Sequence, residues 1–214
     1  MSKLRLRISM SLDGFVAGPD QSLQDPLGKG GERLHEWALA LTAWRKPHGL
    51  EGGEVNPSSK VMEEDQANLG ATIMGRNMFG GYPGDWNQAE PWNGWWGENP
   101  PFHHPVFVLT RYPRETLTLQ GGTSFTFVTD GIKSALEQAR RAAGGKDIAL
   151  SGGARVCQEY LKAGLVDEMS IHLVPVLLGT GERLFDGVTD LHGLTLVQNV
   201  AAPGVVHLKF ERVS

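Results

Sequence analysis

The chain has 214 residues, 40% hydrophobic and 21% charged, with a formal net charge of −4, which fits one folded domain over residues 1–214 with a sizeable core. That charge leaves no basic footprint for nucleic acid, and no apolar run approaches the ~20 residues needed to cross a bilayer. The one cysteine, Cys157, excludes an internal disulfide and suits a reducing, cytoplasmic setting.

Leu4–Met10 reads as a strand with no apolar signal-peptide core before it, and it runs into Ser11-Leu12-Asp13-Gly14. An insertion over residues 19–57 carries a helix, Glu32–Arg45, with Trp37 and Trp44. A second helix, Ser59–Leu69, has Ser58 or Ser59 as its cap, and Glu63, Glu64 and Asp65 read as its solvated face. The short strand Ala71–Met74 leads into Gly75-Arg76-Asn77-Met78-Phe79.

Residues 80–105 form a second insertion with Trp86, Trp92, Trp95, Trp96, Phe102, His103 and His104. Such a segment is ordered only if its rings are buried, on its own domain, on a second subunit or over a ligand. His103 and His104 are too close in sequence to share a metal, and no metal is expected. Strands follow at Val106–Thr110, Ser124–Val128, Ile148–Ser151 and Met169–Leu178. Helices lie at Ile132–Ala143, with Asp130 as its cap, and at Ala154–Ala163. Leu194–Val200 and Val205–Arg212 flank Ala-Ala-Pro-Gly as a closing antiparallel hairpin. The alternation predicts an α/β fold with a mostly parallel central sheet and helices on both faces.

The densest chemical signal is Ser151-Gly152-Gly153 between a buried strand and a helix whose apolar face holds Val156, Tyr160 and Leu161. Two glycines allow a sharp turn with no Cβ in a ligand's way, and the unpaired N–H groups of the following helix suit phosphate. A plain tight turn is the alternative. Cys157, on the same helix, reads as a small core residue.

Four segments carry a family resemblance: Ser11–Gly14, Met74–Phe79, Val108-Leu109-Thr110-Arg111, and Ser151–Gly153 with Pro175–Phe185 beyond it. In order and spacing the chain resembles the dihydrofolate-reductase-like superfamily, and within it stand-alone relatives of the riboflavin-biosynthesis (RibD-type) reductase C-terminal domain. The resemblance implies an NADPH-dependent reductase of a small heterocyclic or carbonyl-like substrate, of the 5-amino-6-(5-phosphoribosylamino)uracil reductase type. It implies that Gly75, Arg76 and Asn77 lie beside the cofactor, with the Arg76 guanidinium on the adenosine 2′-phosphate or the pyrophosphate, and that Thr110 and Arg111 meet the 2′-phosphate. Ser151, Gly152, Gly153, Ala154 and Arg155 would hold the pyrophosphate, and Val16 and Ala17 would lie along the nicotinamide. Two arginines favour a 2′-phosphate over a free hydroxyl.

Asp13 is the implied catalytic residue, orienting a substrate donor or relaying a proton; the alternative is an aspartate that closes its own turn. The resemblance also implies a homodimer, with Met169–Val174 and Pro175–Phe185 suited to a two-fold interface. Departures stand beside these matches. The pterin-binding carboxylate of folate reductases falls here near Ser59, and a phosphate-binding hydroxyl is replaced by Met78. The rival reading is a nucleotide-binding or structural dimer that keeps the fold without the reaction.

Overall fold

The computed structural model describes residues 2–81, 84–86 and 91–213; the part of the second insertion at 82–83 and 87–90 lies outside the described residues. Eight strand segments share one sheet core: β1 Leu4–Ser11, β3 Leu69–Gly75, β4 Pro105–Leu109, β6 Ser124–Val128, β7 Asp147–Leu150, β8 Glu168–Val174, β10 Leu194–Ala202 and β11 Val205–Arg212. With the two-residue β5 at Leu117–Thr118 they form a nine-stranded sheet ordered β10-β11-β8-β1-β7-β3-β4-β6-β5. The run from β8 to β6 is wholly parallel. Antiparallel strands close both edges, β5 on one side and the β10–β11 hairpin on the other. Two short strands, β2 Phe15–Ala17 and β9 Glu182–Arg183, pair outside it.

Strand alternation sorts the two faces of the sheet. Leu4, Leu6, Ile73, Ile148, Leu150 and Ile171 enter the main core with Ala135, Leu136, Cys157 and Leu161 from α5 Ile132–Ala142 and α6 Ala154–Lys162. On the far face, over β3, β4 and β6, Met74, Val106, Val108, Phe125 and Phe127 pack with Phe79 and Trp86. Trp92, Trp96 and Phe102 add to that cluster as half-buried rings, so these rings of the second insertion pack on their own domain, with Trp86 the buried one among them.

Several boundaries differ from the sequence expectation, each for a local reason. The strand expected to reach Leu178 stops at Val174, because Pro175 brings no N–H to the ladder. The expected helix Glu32–Arg45 is broken into a 3-10 turn at Gly31–Leu34, α1 Glu36–Leu39 and α2 Thr42–Arg45. The break falls at Leu41, whose backbone is extended, and Thr42 N–H turns to the Glu54 carbonyl instead. The next helix, α3, spans Pro57–Gln66 and is capped by Asn56 rather than Ser58 or Ser59; Ser59 returns its hydroxyl to the Asn56 amide. Gly131, not Asp130, stands at the cap of α5. β8 is paired on both edges, so Met169–Val174 offers no free strand to a second subunit. Exposed Leu12 and Leu177 remain at the loop beside it.

Asp65 corrects the expectation of a solvated acidic face. It is only 7% exposed and points from α3 at the sheet, where it accepts from Ser170 Oγ at 3.0 Å and faces His172 Nε2 at 3.2 Å. His172 Nδ1 meets His207 Nδ1 at 2.9 Å, and His207 Nε2 meets Ser58 Oγ at 2.8 Å. An ionised Asp65 only accepts, so with both imidazoles neutral the network fixes one direction. Ser58 donates to His207, His207 to His172, and His172 to Asp65. Trp37 covers both rings, at 4.8 and 4.9 Å between centroids, and its indole N–H reaches Ser9 Oγ.

This network makes the protein acid-sensitive. Burial, then the neighbouring His172, pulls the His207 pKa down to about 4. Burial likewise lowers His104, bonded to Thr72 Oγ1, to about 4. The unfolded chain binds these protons from about pH 6.5 downward, while the folded chain holds both rings neutral until about pH 4. Stability is therefore complete above pH 6.5 and falls as the pH drops through that window. For His207 the loss is at most about 3 kcal/mol, which lowers Tm by up to roughly 10 °C. Melting curves between pH 7.5 and 4.5 check this, with His207→Gln giving a shallower slope; a Tm independent of pH in that range contradicts it. No helix among the described residues is long and apolar enough to cross a membrane.

Candidate functional site

The parallel strands all deliver their carboxyl ends to one edge of the sheet. The chain leaves β3 toward β4 on one side and leaves β7 toward β8 on the other. Neighbouring strands whose connections diverge in this way open a crevice between their carboxyl ends, the usual ligand position in such sheets.

Two glycine turns meet in that crevice. Gly75 ends β3 and its N–H donates to the Gly152 carbonyl at 2.6 Å, while Ser151 N–H donates to the Ile73 carbonyl at 3.0 Å. A Cβ on Gly75 would come within 2.8 Å of Val156 Cγ2 and 3.4 Å of the Gly153 nitrogen, so the two turns touch because neither carries a side chain. The Gly152–Gly153 peptide is cis, and Gly152 has a φ of 117°, a conformation that favours glycine. Gly153 differs: it has an ordinary extended backbone, and a Cβ placed there would meet nothing within 4 Å. It is the N-cap of the nine-residue α6, and no side chain caps that helix. The first N–H groups of α6, from buried Ala154 and exposed Arg155 onward, therefore have no side-chain cap, and the open space lies beside Gly153.

Arg76 begins the short helix α4, Arg76–Phe79, directly after Gly75. Its guanidinium carbon lies 3.3 Å from the centroid of the Trp86 ring and its Nε donates to the Gly80 carbonyl at 3.1 Å. Burial, then the neighbouring Arg114 charge, lowers its pKa. Indole groups of the insertion hold this helix in place. Trp92 Nε1 donates to Phe79 O at 2.8 Å and Trp95 Nε1 to Met78 O at 3.1 Å, satisfying carbonyls that a helix end leaves open. Asn77 is exposed. Met78 stands where its sulfur would be 3.6 Å from a Cβ on Gly152, an apolar wall to the glycine turn.

Thr110 and Arg111 follow β4, the next strand along. Thr110 Oγ1 accepts from Tyr112 N–H at 3.2 Å, and Tyr112 O accepts from Trp86 Nε1 at 2.9 Å; Arg111 is exposed. Arg114, from the same loop, also reaches Trp86, at 4.9 Å from the ring centroid. The sequence reading missed this residue; its only signal was a third arginine-bearing position just beyond a strand end.

Asp13, Val16 and Ala17 lie past the end of β1, on the other flank of β7. Val16 is buried in the main core and Ala17 is buried beside it, so the backbone of β2, rather than these side chains, is what they offer to a ligand. The Asp13 carboxylate accepts from Ser11 Oγ at 2.6 Å, from Gly179 N–H at 2.7 Å and from Leu178 N–H at 3.2 Å to each oxygen. The Ser11 hydroxyl, and then the amides of Gly179 and Leu178, hold its pKa down to about 2. Its turn is closed by Gly14 N–H donating to Ser11 O, while the carboxylate reaches across to the loop after β8. Arg183 completes the fastening, donating to Asp13 O at 2.9 Å and stacking 4.3 Å over Phe15. At neutral pH such a carboxylate is a fixed negative acceptor and holds no proton to give.

The structure thus gathers Gly75, Arg76, Asn77 and Ser151 to Arg155 at one crevice, with Thr110 and Arg111 one strand away and Asp13 on the opposite flank. The sequence profile of the RibD C-terminal domain matches residues 2–210. Among known proteins, YyaP of Bacillus subtilis (strain 168), itself uncharacterised, is 34% identical over 85 residues, which are 39% of this chain and 45% of that protein. YwjB of the same organism, also uncharacterised, is 31% identical over 65 residues, 30% of this chain and 37% of its own length. Each match spans less than half of the relative. Among solved structures, a Shewanella sp. PV-4 protein assigned to riboflavin biosynthesis superposes with a TM-score of 0.59 at 19% identity, covering 99% of both chains. RibD of Acinetobacter baumannii gives 0.58 at 17% identity, over all of this chain and 59% of that one. The Thermotoga maritima deaminase/5-amino-6-(5-phosphoribosylamino)uracil reductase gives 0.54 at 13%, over 99% of this chain and 57% of its own. At these identities the likeness is one of fold.

Proposed function

Since the chain belongs to the RibD C-terminal domain family, we propose that it is an NADPH-dependent reductase of a small heterocyclic or carbonyl-like substrate, similar in class to 5-amino-6-(5-phosphoribosylamino)uracil reductase. The observation that carries this reading is the uncapped N-terminus of α6, open to free space at Gly153, in a crevice made by two touching glycine turns. A diphosphate fits there by charge and by shape: the helix end presents N–H donors, and no Cβ stands in the way.

When bound, the nicotinamide supplies a hydride; the chain supplies orientation and polarity. Ser151 to Arg155 would hold the pyrophosphate, and Arg76 with Thr110 and Arg111 would take the adenosine 2′-phosphate. Met78 removes one hydrogen-bonding partner and leaves more of the grip to the α6 amides. Asp13 would face the substrate as a permanent acceptor, orienting a hydroxyl or amine while it keeps the loop at Leu178 and Gly179 in place. Its ionised state assigns proton delivery elsewhere.

The test is calorimetric titration with both nicotinamide cofactors. A charge-assisted hydrogen bond to the 2′-phosphate is worth roughly 1.5–3 kcal/mol, so NADPH is expected to bind at least about tenfold more tightly than NADH. Equal affinities, or no binding of either, would overturn the assignment.

A further inference from the structure

The polar network under Trp37 crowds three imidazoles around one carboxylate. His172 and His207 meet through their Nδ1 atoms at 2.9 Å. His35, half-buried two positions before Trp37 in the chain, is held below its ordinary pKa by burial and then by His172. Asp65 is the carboxylate that faces these rings, 3.2 Å from His172 Nε2, and its charge is already shared. Arg7 of β1 faces it and Arg5 Nη2 lies 4.0 Å away. Glu168 of β8 is taken by Arg5 at 2.9 Å, by Lys3 at 3.4 Å and by Lys209 of β11 at 3.6 Å. Glu64 of α3 is exposed beside Lys60, and β10 carries no charge.

The network can hold one added proton without losing a bond. His172 then donates to both Asp65 and His207, and His207 turns its donor toward Ser58, whose hydroxyl accepts. A second proton puts N–H groups on both Nδ1 atoms, 2.9 Å apart, and a second positive charge where no carboxylate is left to meet it. Protons need not wait for unfolding to arrive. Asp65, Ser170, His207 and Lys209 line a cleft of about 20 Å³ between α3 and the β10–β11 hairpin, room for a water molecule.

What covers the rings is lightly built. Residues 31–45 form a 3-10 turn and two four-residue helices, too short to stand alone. They are fastened by Leu34 against Val174 and Val205, by Ala38 and Leu41 against Met62, and by the Trp37 hydrogen bond to Ser9 at 3.2 Å. The main core lies with α5 and α6 and has no part in this. Segments with little buried apolar contact open before the rest of a domain.

We propose that residues 31–45 are an acid-released lid: a second proton on the His172–His207 pair, with one on His35, lifts Trp37 from the sheet and uncovers Ser9 while the parallel core stays folded. Ser9 lies two residues before Ser11, whose hydroxyl holds Asp13 at 2.6 Å, so the lid opens beside the Asp13 flank of the crevice. The device does not depend on which cofactor the crevice takes. Its sign follows from His207, which the closed form holds at about 4 and the open form returns to about 6.5. The open form takes up protons that the closed form refuses, so opening grows as the pH falls through that window. His207 alone makes the opening constant about twentyfold larger at pH 5 than at pH 7, and His35 adds to it.

The experiment is hydrogen exchange read by mass spectrometry on the whole protein at pH 7, 6 and 5, with rates corrected for the intrinsic pH dependence of amide exchange. Peptides from 31–45 are expected to open about twentyfold more at pH 5 than at pH 7, while those from β3, β4 and β6 keep their protection. His207→Gln can still bond Ser58 but takes no proton, and is expected to flatten most of the rise; His35→Gln flattens the remainder. Melting at pH 7.5 shows whether each variant is folded, and the unaltered protein decides the matter even where one is not. If its residues 31–45 open to the same extent at every pH, or only together with β3, β4 and β6, the inference fails. A full rise that survives in folded His207→Gln and His35→Gln overturns the assignment to these rings.

Discussion

Gly153→Val is expected to abolish NADPH binding and to leave the fold intact. The two halves of that statement come from different features of one residue. Gly153 has φ −73° and ψ −174°, extended backbone that any residue adopts, and an added Cβ meets nothing within 4 Å. Neither a left-handed backbone nor a Cβ clash therefore acts on the free protein. The same empty space is what a pyrophosphate would fill, in front of the uncapped amides of α6. Blocking two or three charge-assisted bonds at roughly 1.5–3 kcal/mol each removes about two or more orders of magnitude in affinity. Gly75→Ala makes the contrast, because its Cβ would lie 2.8 Å from Val156 Cγ2; it is expected to lower Tm without any ligand present. Melting curves of both variants with and without NADPH check the pair. A valine variant still stabilised by NADPH to the normal extent would show that the turn is only structural.

The protein is expected to be a feeble dihydrofolate reductase even with NADPH bound. Protonating a pterin ring nitrogen needs a carboxyl group on α3 aimed into the site, and every candidate is committed elsewhere. Ser59 Oγ accepts the Asn56 amide. Ser58 is bound to His207. Asp65, the acid that does face the sheet, is held by Ser170 and His172, and Glu63 and Glu64 are exposed. Asp13 is ionised. General acid assistance is worth roughly 10²–10⁴-fold, so against a median kcat of ~10 s⁻¹ turnover of about 0.1 s⁻¹ or less is expected. NADPH consumption followed by absorbance decides it, and ordinary turnover near 10 s⁻¹ would sink the argument.

Much of the sheet was legible because its strands are short apolar runs bounded by glycine, proline and charged turns. The parallel order followed from helices placed between them. What escaped reading was set by partners distant in the chain. Asp65 lies at the i, i+7 position from Ser58 on the inward face of α3, where sequence patterns expect an apolar residue. Only the later arrival of Ser170 and His172 makes its burial tolerable. The role of Asp13 was open for the same reason: its donors at Leu178 and Gly179 are backbone amides, which leave no mark in a sequence. The broken helix around Leu41 shows local preference yielding to a bridge with Glu54. The two glycine turns were readable because absence of a side chain is itself a sequence feature. The arginine–tryptophan cluster was not, since Trp86 and Arg114 belong to different loops that only the fold brings together.

The place of β1 in the sheet has a consequence for how the chain is made. Leu4–Ser11 pairs with Asp147–Leu150 on one side and Glu168–Val174 on the other, and the hydrogen bond between Lys3 and Asp147 spans 144 positions. Synthesis at roughly 5–20 residues per second leaves the first strand without either neighbour for about ten seconds or longer, while β3, β4 and β6 can already align with one another. Such long-range closure is slow by its topology, and both edges of the future gap between β8 and β7 are unpaired until β1 enters it. Of the parallel strands β1 is made first, yet it waits for β8, so the carboxyl-edge turn at Asp13 is fastened only after β8 and the loop behind it have been made.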